Sequence, residues 1–214
     1  AEGVLHAYLP DAPWRHLVAS FGYTIGFLIV VLGRQQLFTE NTITAVLPVM
    51  ATPGRGELRR MLRLWGLVLA SNLLGTLVIG GLFAHAPLVE PAVHQGMLEV
   101  ARHFFTLDAA DMFWRGIVAG WLIATMVWLL PAAESAAIYV VLLLTWLIAL
   151  AGLSHIIAGA VEASFLVFLG EITLGTAVFT FLGPTLAGNI IGGSALFALL
   201  SYAQVRREMT PSGR

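Results

Sequence analysis

His155 is the one histidine deep inside a long apolar run, between Gly152-Leu153-Ser154 and Ile156-Ile157-Ala158-Gly159-Ala160. His6 and His16 lie near the start of the chain, His85 near the end of an apolar run, and His94 and His103 in a polar stretch. An ionisable group inside a bilayer is costly unless it faces a cavity, so it marks a pathway by default. The competing reading is a neutral imidazole hydrogen-bonded between helices. Asn189, within Gly188-Asn189-Ile190-Ile191-Gly192-Gly193, raises the same question. Its amide needs partners in lipid and can serve a ligand as donor. Imidazole is suited to moving or carrying a proton because its unperturbed pKa lies near physiological pH. Other chemistries are missing. The chain has no Cys, so thiol nucleophiles, disulfides and thiolate metal sites are excluded. It has no His-Glu-x-x-His and no Gly-x-Ser-x-Gly, so neither an enzyme nor a bound metal or cofactor is expected.

Elements that hold such residues must sit in a membrane. The 214 residues are 58% hydrophobic and 11% charged, with mean hydropathy +0.87. That is less than half the charge of an ordinary soluble surface. A soluble enzyme and a disordered chain are excluded. So is a nucleic-acid partner, because net charge is −1. Charge-free runs cover 16–33, 64–89, 116–133, 135–161 and 172–205. A helix needs about 20 apolar residues to cross the hydrocarbon core. The expected organisation is a single all-α polytopic membrane domain over 1–214 with five spans. These cover 14–36 with a re-entrant segment at 37–50, 62–86, 112–131, 135–167 interrupted near 152–156, and 172–205. Residues 93–107 are expected to form an interfacial helix, and 206–214 a cytoplasmic tail.

Orientation follows from arginine, since all eleven cations are Arg. Arg55, Arg59, Arg60 and Arg63 oppose only Glu57 on a short loop, and Arg206, Arg207 and Arg214 follow the last span. Both places read as cytoplasmic. Glu90, Glu99, Asp108 and Asp111 against Arg102 suit the outer side. Five spans with a cytoplasmic C-terminus put Ala1 outside. Ala1-Glu2-Gly3 lacks the features of a signal peptide, so a preceding span is expected to be missing.

Two of the spans are interrupted. The polar run Arg34-Gln35-Gln36-Leu37-Phe38-Thr39-Glu40-Asn41-Thr42 is followed by apolar Ile43–Leu47, and Gly152-Leu153-Ser154-His155 cuts the fourth run. Irregular backbone survives at membrane depth only where protein buries it or a cavity solvates it. Paired interruptions point to an inverted repeat around a central site. The sequence similarity between the two halves is too weak to show that repeat directly.

Read together, these segments resemble the formate/nitrite transporter family, in a divergent branch. Gln36-Leu37-Phe38-Thr39-Glu40-Asn41-Thr42 is similar to the family's Leu-Phe-Thr segment. Gly152-Leu153-Ser154-His155 is similar to its Gly-x-x-His, and Gly188–Gly193 to its Gly-Asn-x-x-Gly-Gly. The resemblance implies an aquaporin-like fold of six spans, the first absent here, assembled as a homopentamer in the inner (cytoplasmic) membrane with one pore per subunit. By the same resemblance, Leu37 and Phe38 form the inner constriction, and Thr39 and Asn189 hydrogen-bond His155. Tyr23, Ile148 and Gly120 then fall at pore-lining positions. Several positions depart from the family pattern. The family's anion-attracting Lys is Phe104, with Arg102 as a possible substitute. Gly120 and Gly159 stand where members have Asn, and Ser154 stands where they have Glu. Arg34, Glu40 and Glu162 are candidates for a different polar network. The expected function is a channel or transporter for small monovalent anions or their conjugate weak acids, with His155 as proton relay. The alternatives are a neutral-solute pore (water, glycerol or ammonia) and a pore-dead membrane scaffold.

Overall fold

The computed structural model describes residues 1–198 and 200, and all its regular structure is helical. The cytoplasmic tail expected at 206–214 lies outside the described residues, as does the end of the last expected span. The helices are α1 (Glu2–Tyr8), α2 (Arg15–Leu32), α3 (Phe38–Thr44), α4 (Val46–Ala51), α5 (Arg55–His85) and α6 (Pro91–Phe104). They continue with α7 (Ala109–Ala132), α8 (Ala137–Leu150), α9 (Ile156–Phe168) and α10 (Leu174–Ala198). Four of them, α2, α5, α7 and α10, are long and apolar enough to cross a membrane. The shorter apolar helices α8 and α9 together have the length of a fifth, broken crossing, so the described residues hold five apolar crossings and the chain is a multi-pass membrane protein.

Local chemistry sets the helix ends. Pro91 opens α6, where its missing N–H has no intrahelical role. The Asp108 carboxylate caps α7 by accepting the Asp111 N–H at 2.8 Å. Pro184 interrupts α10, and the turns before it (Ala177–Leu182) and after it (Ile191–Ala198) widen into π-helix. A proline inside a helix removes one backbone bond and clashes with the preceding turn, which wider turns relieve. Glycines then let helices meet backbone to backbone. Gly116 of α7 faces Gly188 and Asn189 of α10, Gly120 faces Asn189, and Gly192 lies on the backbone of Ile117 and Trp121. Gly80 of α5 lies on Ser164 of α9, and Gly3 of α1 crosses Gly96 and Met97 of α6.

The two breaks share one backbone pattern, a helix ending that also recurs after α9, where Leu169, Gly170 and Glu171 donate to Phe165, Val167 and Leu166. After α2, the N–H groups of Gly33, Arg34 and Gln35 donate to the carbonyls of Ile29, Val31 and Val30. After α8, those of Ala151, Gly152 and Leu153 donate to Leu147, Ala149 and Ile148 in the same order. Arg34 (φ 52°) and Gly152 (φ 58°) share a left-handed conformation. Leu37 (φ −111°, ψ 133°) and His155 (φ −112°, ψ 125°) are the extended residues that start α3 and α9. The first helices of the two halves, α2 and α8, pack together. Phe21 stacks on Trp146 at 4.9 Å, and Trp146 Nε1 donates to the Leu17 carbonyl.

Only one of the paired left-handed positions carries a glycine. A side chain there costs about 1 kcal/mol, so Arg34→Gly is expected to raise the stability by up to that amount. Gly152→Ala is expected to lower it, because a Cβ there also lies 3.1 Å from Arg115 Nη1. Thermal midpoints of the purified protein in detergent measure both. A drop for Arg34→Gly would refute the strain argument.

Candidate functional site

Each break is clamped by one asparagine from a long helix. Asn72 of α5 accepts the Phe38 N–H at 3.0 Å and donates to the Gln36 carbonyl at 3.1 Å. Asn189 of α10 accepts the Ile156 N–H at 2.9 Å and donates to the Ser154 carbonyl at 2.9 Å. It also donates to the Gly116 carbonyl at 2.8 Å. Each amide therefore satisfies the first donor of a half-helix and a carbonyl of the linker before it, groups a helix start leaves open. Sequence reasoning missed Asn72. Its signal was a lone amide in the charge-free run 64–89.

Thr39 and His155 meet where the two half-helices begin. Thr39 Oγ1 lies 2.8 Å from His155 Nε2, and both residues are buried. The Ala158 N–H donates to His155 Nδ1 at 3.2 Å. That bond assigns the hydrogen to Nε2, which donates to Thr39 Oγ1. The imidazole is thus the cap of α9, and Phe27 packs edge-on against it at 5.0 Å. Asn189 makes no bond to the ring. The expected Asn189–His155 contact is replaced by bonds to the backbone on either side of His155, because both nitrogens of the ring are already engaged.

Two cavities border His155, and Thr39 borders neither. One, of about 270 Å³, is lined by Glu2, His16, Tyr23, His103, Phe104 and Glu162 as well as His155. The other, of about 180 Å³, is apolar and lies on the Leu37 side, with Phe27, Val30, Ile157 and Val161 in its wall. Tyr23 borders both. Phe38 borders neither. Its ring packs edge-on to Trp65 at 5.8 Å, with Val68 and Met112 in the same cluster, because the first turn of α3 directs it towards α5. Ile148 is fully buried in the cluster of Phe27, Ala119 and Ile123 and also borders neither cavity. Gly120 is a packing position, since a side chain there would enter the Asn189 backbone.

The departures from the family pattern have a steric and electrostatic logic. A Cβ at position 159 would lie 2.8 Å from Phe181 Cε2 and 3.2 Å from Phe104 Cε1. The two rings, 5.7 Å apart, fill the space that an Asn would need. Arg102 does not substitute for the Lys. It clamps Glu171 through Nε at 3.0 Å and Nη2 at 2.5 Å, which holds the Glu171 carboxyl below the usual carboxylate range. No hydrogen bond or ion pair joins Arg34, Glu40 and Glu162 among the described residues. Arg34 is exposed at the first break, while Glu162 lines the 270 Å³ cavity that His155 also borders.

Comparisons with known proteins agree with this architecture. The chain is 44% identical over 210 residues to the inner membrane protein YfdC of Escherichia coli (strain K12), covering 98% of this chain and 68% of that one. It is 25% identical over 210 residues to a probable formate transporter of Methanothermobacter thermautotrophicus, covering 90% of this chain and 76% of that one. A solved structure described as a pentameric formate channel with formate bound superposes with TM-score 0.81 at 19% identity, covering 96% of this chain and 89% of that one. The family model for formate/nitrite transporters matches residues 1–203, and the chain belongs to that family.

Proposed function

We propose that the chain conducts small monovalent anions or their conjugate weak acids, with one pore per subunit of a homopentamer in a cytoplasmic (inner) membrane. Its C-terminus is placed on the cytoplasmic side, as the Arg55–Arg63 charge bias favours. The observation that carries this reading is the Thr39–His155 bond at the start of two half-helices, with two cavities bordering His155. An anion entering an apolar passage loses hydration that only aimed donors can replace. The Ile157 N–H, in the first turn of α9, has no partner among the described residues. The α9 N-terminus adds positive partial charge there. Thr39 Oγ1 accepts from His155 and so holds the ring in place without itself bordering either cavity. Leu37 forms the apolar narrowing beyond this station, and Asn72 and Asn189 hold it in place.

Uptake of formate, nitrite, acetate, chloride and glycerol into proteoliposomes tests this reading between about pH 5 and 8, the window in which imidazole titrates. Weak-acid uptake is expected, with Thr39→Val lowering it about tenfold, the worth of one hydrogen bond. His155→Ala is expected to reduce it further. Glycerol uptake without anion uptake would move the reading to a neutral-solute pore. No uptake of any solute would leave a scaffold.

A further inference from the structure

Glu162 is a carboxyl that the mechanism above leaves unused. It projects from α9 into the 270 Å³ cavity that ends at His155, and it also borders a second cavity of about 390 Å³. The ion pairs among the described residues leave it out. We propose that Glu162 is the proton donor of the outer vestibule. It protonates a small weak-acid anion before the solute reaches His155, so that the neutral acid crosses the Thr39–His155 station.

This rests on the weak-acid pore proposed above and names its proton source. His155 is a poor candidate for that role. Its Nδ1 is held by the Ala158 N–H and its Nε2 hydrogen by Thr39. Loss of the Nε2 proton would leave an imidazolate, and gain of one at Nδ1 would break the α9 cap. Nor does a cation neutralise the solute in the vestibule. Among the described residues no arginine lines this cavity; Arg102 is paired with Glu171, and Arg115 and Arg15 point to the Gly152 and His6 carbonyls. The titratable groups facing Glu162 are Glu2 of α1, His16 and Tyr23 of α2, His103 of α6 and His155 itself. Ala1 shares the adjoining cavity, to which α5 brings only Phe83. A vestibule of carboxyls and imidazoles repels a bare anion but offers protons to it.

In the transfer, the Glu162 O–H bond breaks as an O–H bond forms on the solute carboxylate. Glu162 is then re-protonated from outer water through the exposed His103. One proton enters with each anion.

The test is formate uptake by the reconstituted chain with a pH dye inside the vesicles, for wild type, Glu162→Gln and Glu162→Asp. Wild type is expected to carry one proton per formate. Glu162→Gln should slow uptake on the order of tenfold and flatten its pH profile, and Glu162→Asp should recover both, as expected of a general acid. An unchanged rate and profile in Glu162→Gln would overturn the donor role and leave the pore standing. Equal slowing in both variants would also overturn it, because shape rather than the proton would then matter. No weak-acid uptake by wild type would overturn the pore reading itself.

Discussion

Asn189→Ala is expected to lower the stability by about 3 kcal/mol, because it strands the Ile156 N–H and the Ser154 and Gly116 carbonyls. An unpaired buried backbone group costs about 1–3 kcal/mol, and Asn189 is 0% exposed, so bulk water does not reach its place. Asn72→Ala removes the matching clamp at a half-exposed position. Water can replace those two bonds, and the expected loss is about 1 kcal/mol. Thermal midpoints in detergent compare the two directly. Asn189→Ala should also reduce weak-acid uptake strongly, since Ser154 and Ile156 set the angle at which His155 meets Thr39. Equal losses for the two variants would show that burial does not decide the difference.

The spans were legible because charge is so expensive in hydrocarbon that uncharged runs mark crossings. The breaks were legible for the converse reason. Polar residues within such runs need an unusual surrounding, and Thr39 and His155, remote in sequence, do meet at 2.8 Å. The backbone pattern that the breaks share was legible only as paired interruptions, not as matching residues. Of the matched stretches 30–41 and 148–159, only Leu32 and Leu150 are identical. The shared feature is a pattern of main-chain bonds, which many side chains tolerate. Side-chain direction was equally hidden. Nothing in Leu37-Phe38-Thr39 says that Leu37 borders the cavity while Phe38 turns to Trp65. Asn189 was expected at the ring and lies on the backbone instead, because the cap of α9 occupies Nδ1. Nor could one position reveal that Phe104, Gly159 and Phe181 fill a single volume.

That shared volume separates two substitutions which look alike in sequence. Gly120→Asn and Gly159→Asn would each restore an amide that the family resemblance implies. At Gly120 the added Cβ would lie 2.8 Å from the Asn189 Cα and closer still to its carbonyl oxygen. Backbone cannot rotate away, so α7 and α10 must separate, and the Asn189 bond to Gly116 is lost with them. The expected cost is about 3 kcal/mol or more, at the upper end for overpacking, with little folded protein recovered. At Gly159 the obstruction is the Phe181 ring, with Phe104 behind it. A ring can shift or be trimmed, so Gly159→Asn alone should cost about 1–3 kcal/mol. Adding Phe181→Leu should return most of that loss, because the two changes share one space and their effects do not add. Phe181→Leu should not rescue Gly120→Asn, whose collision is with a different helix. Thermal midpoints and yields of five variants, the three single changes and the two doubles with Phe181→Leu, test the contrast. Rescue of Gly120→Asn, or strict additivity at 159 and 181, would overturn this account of the packing.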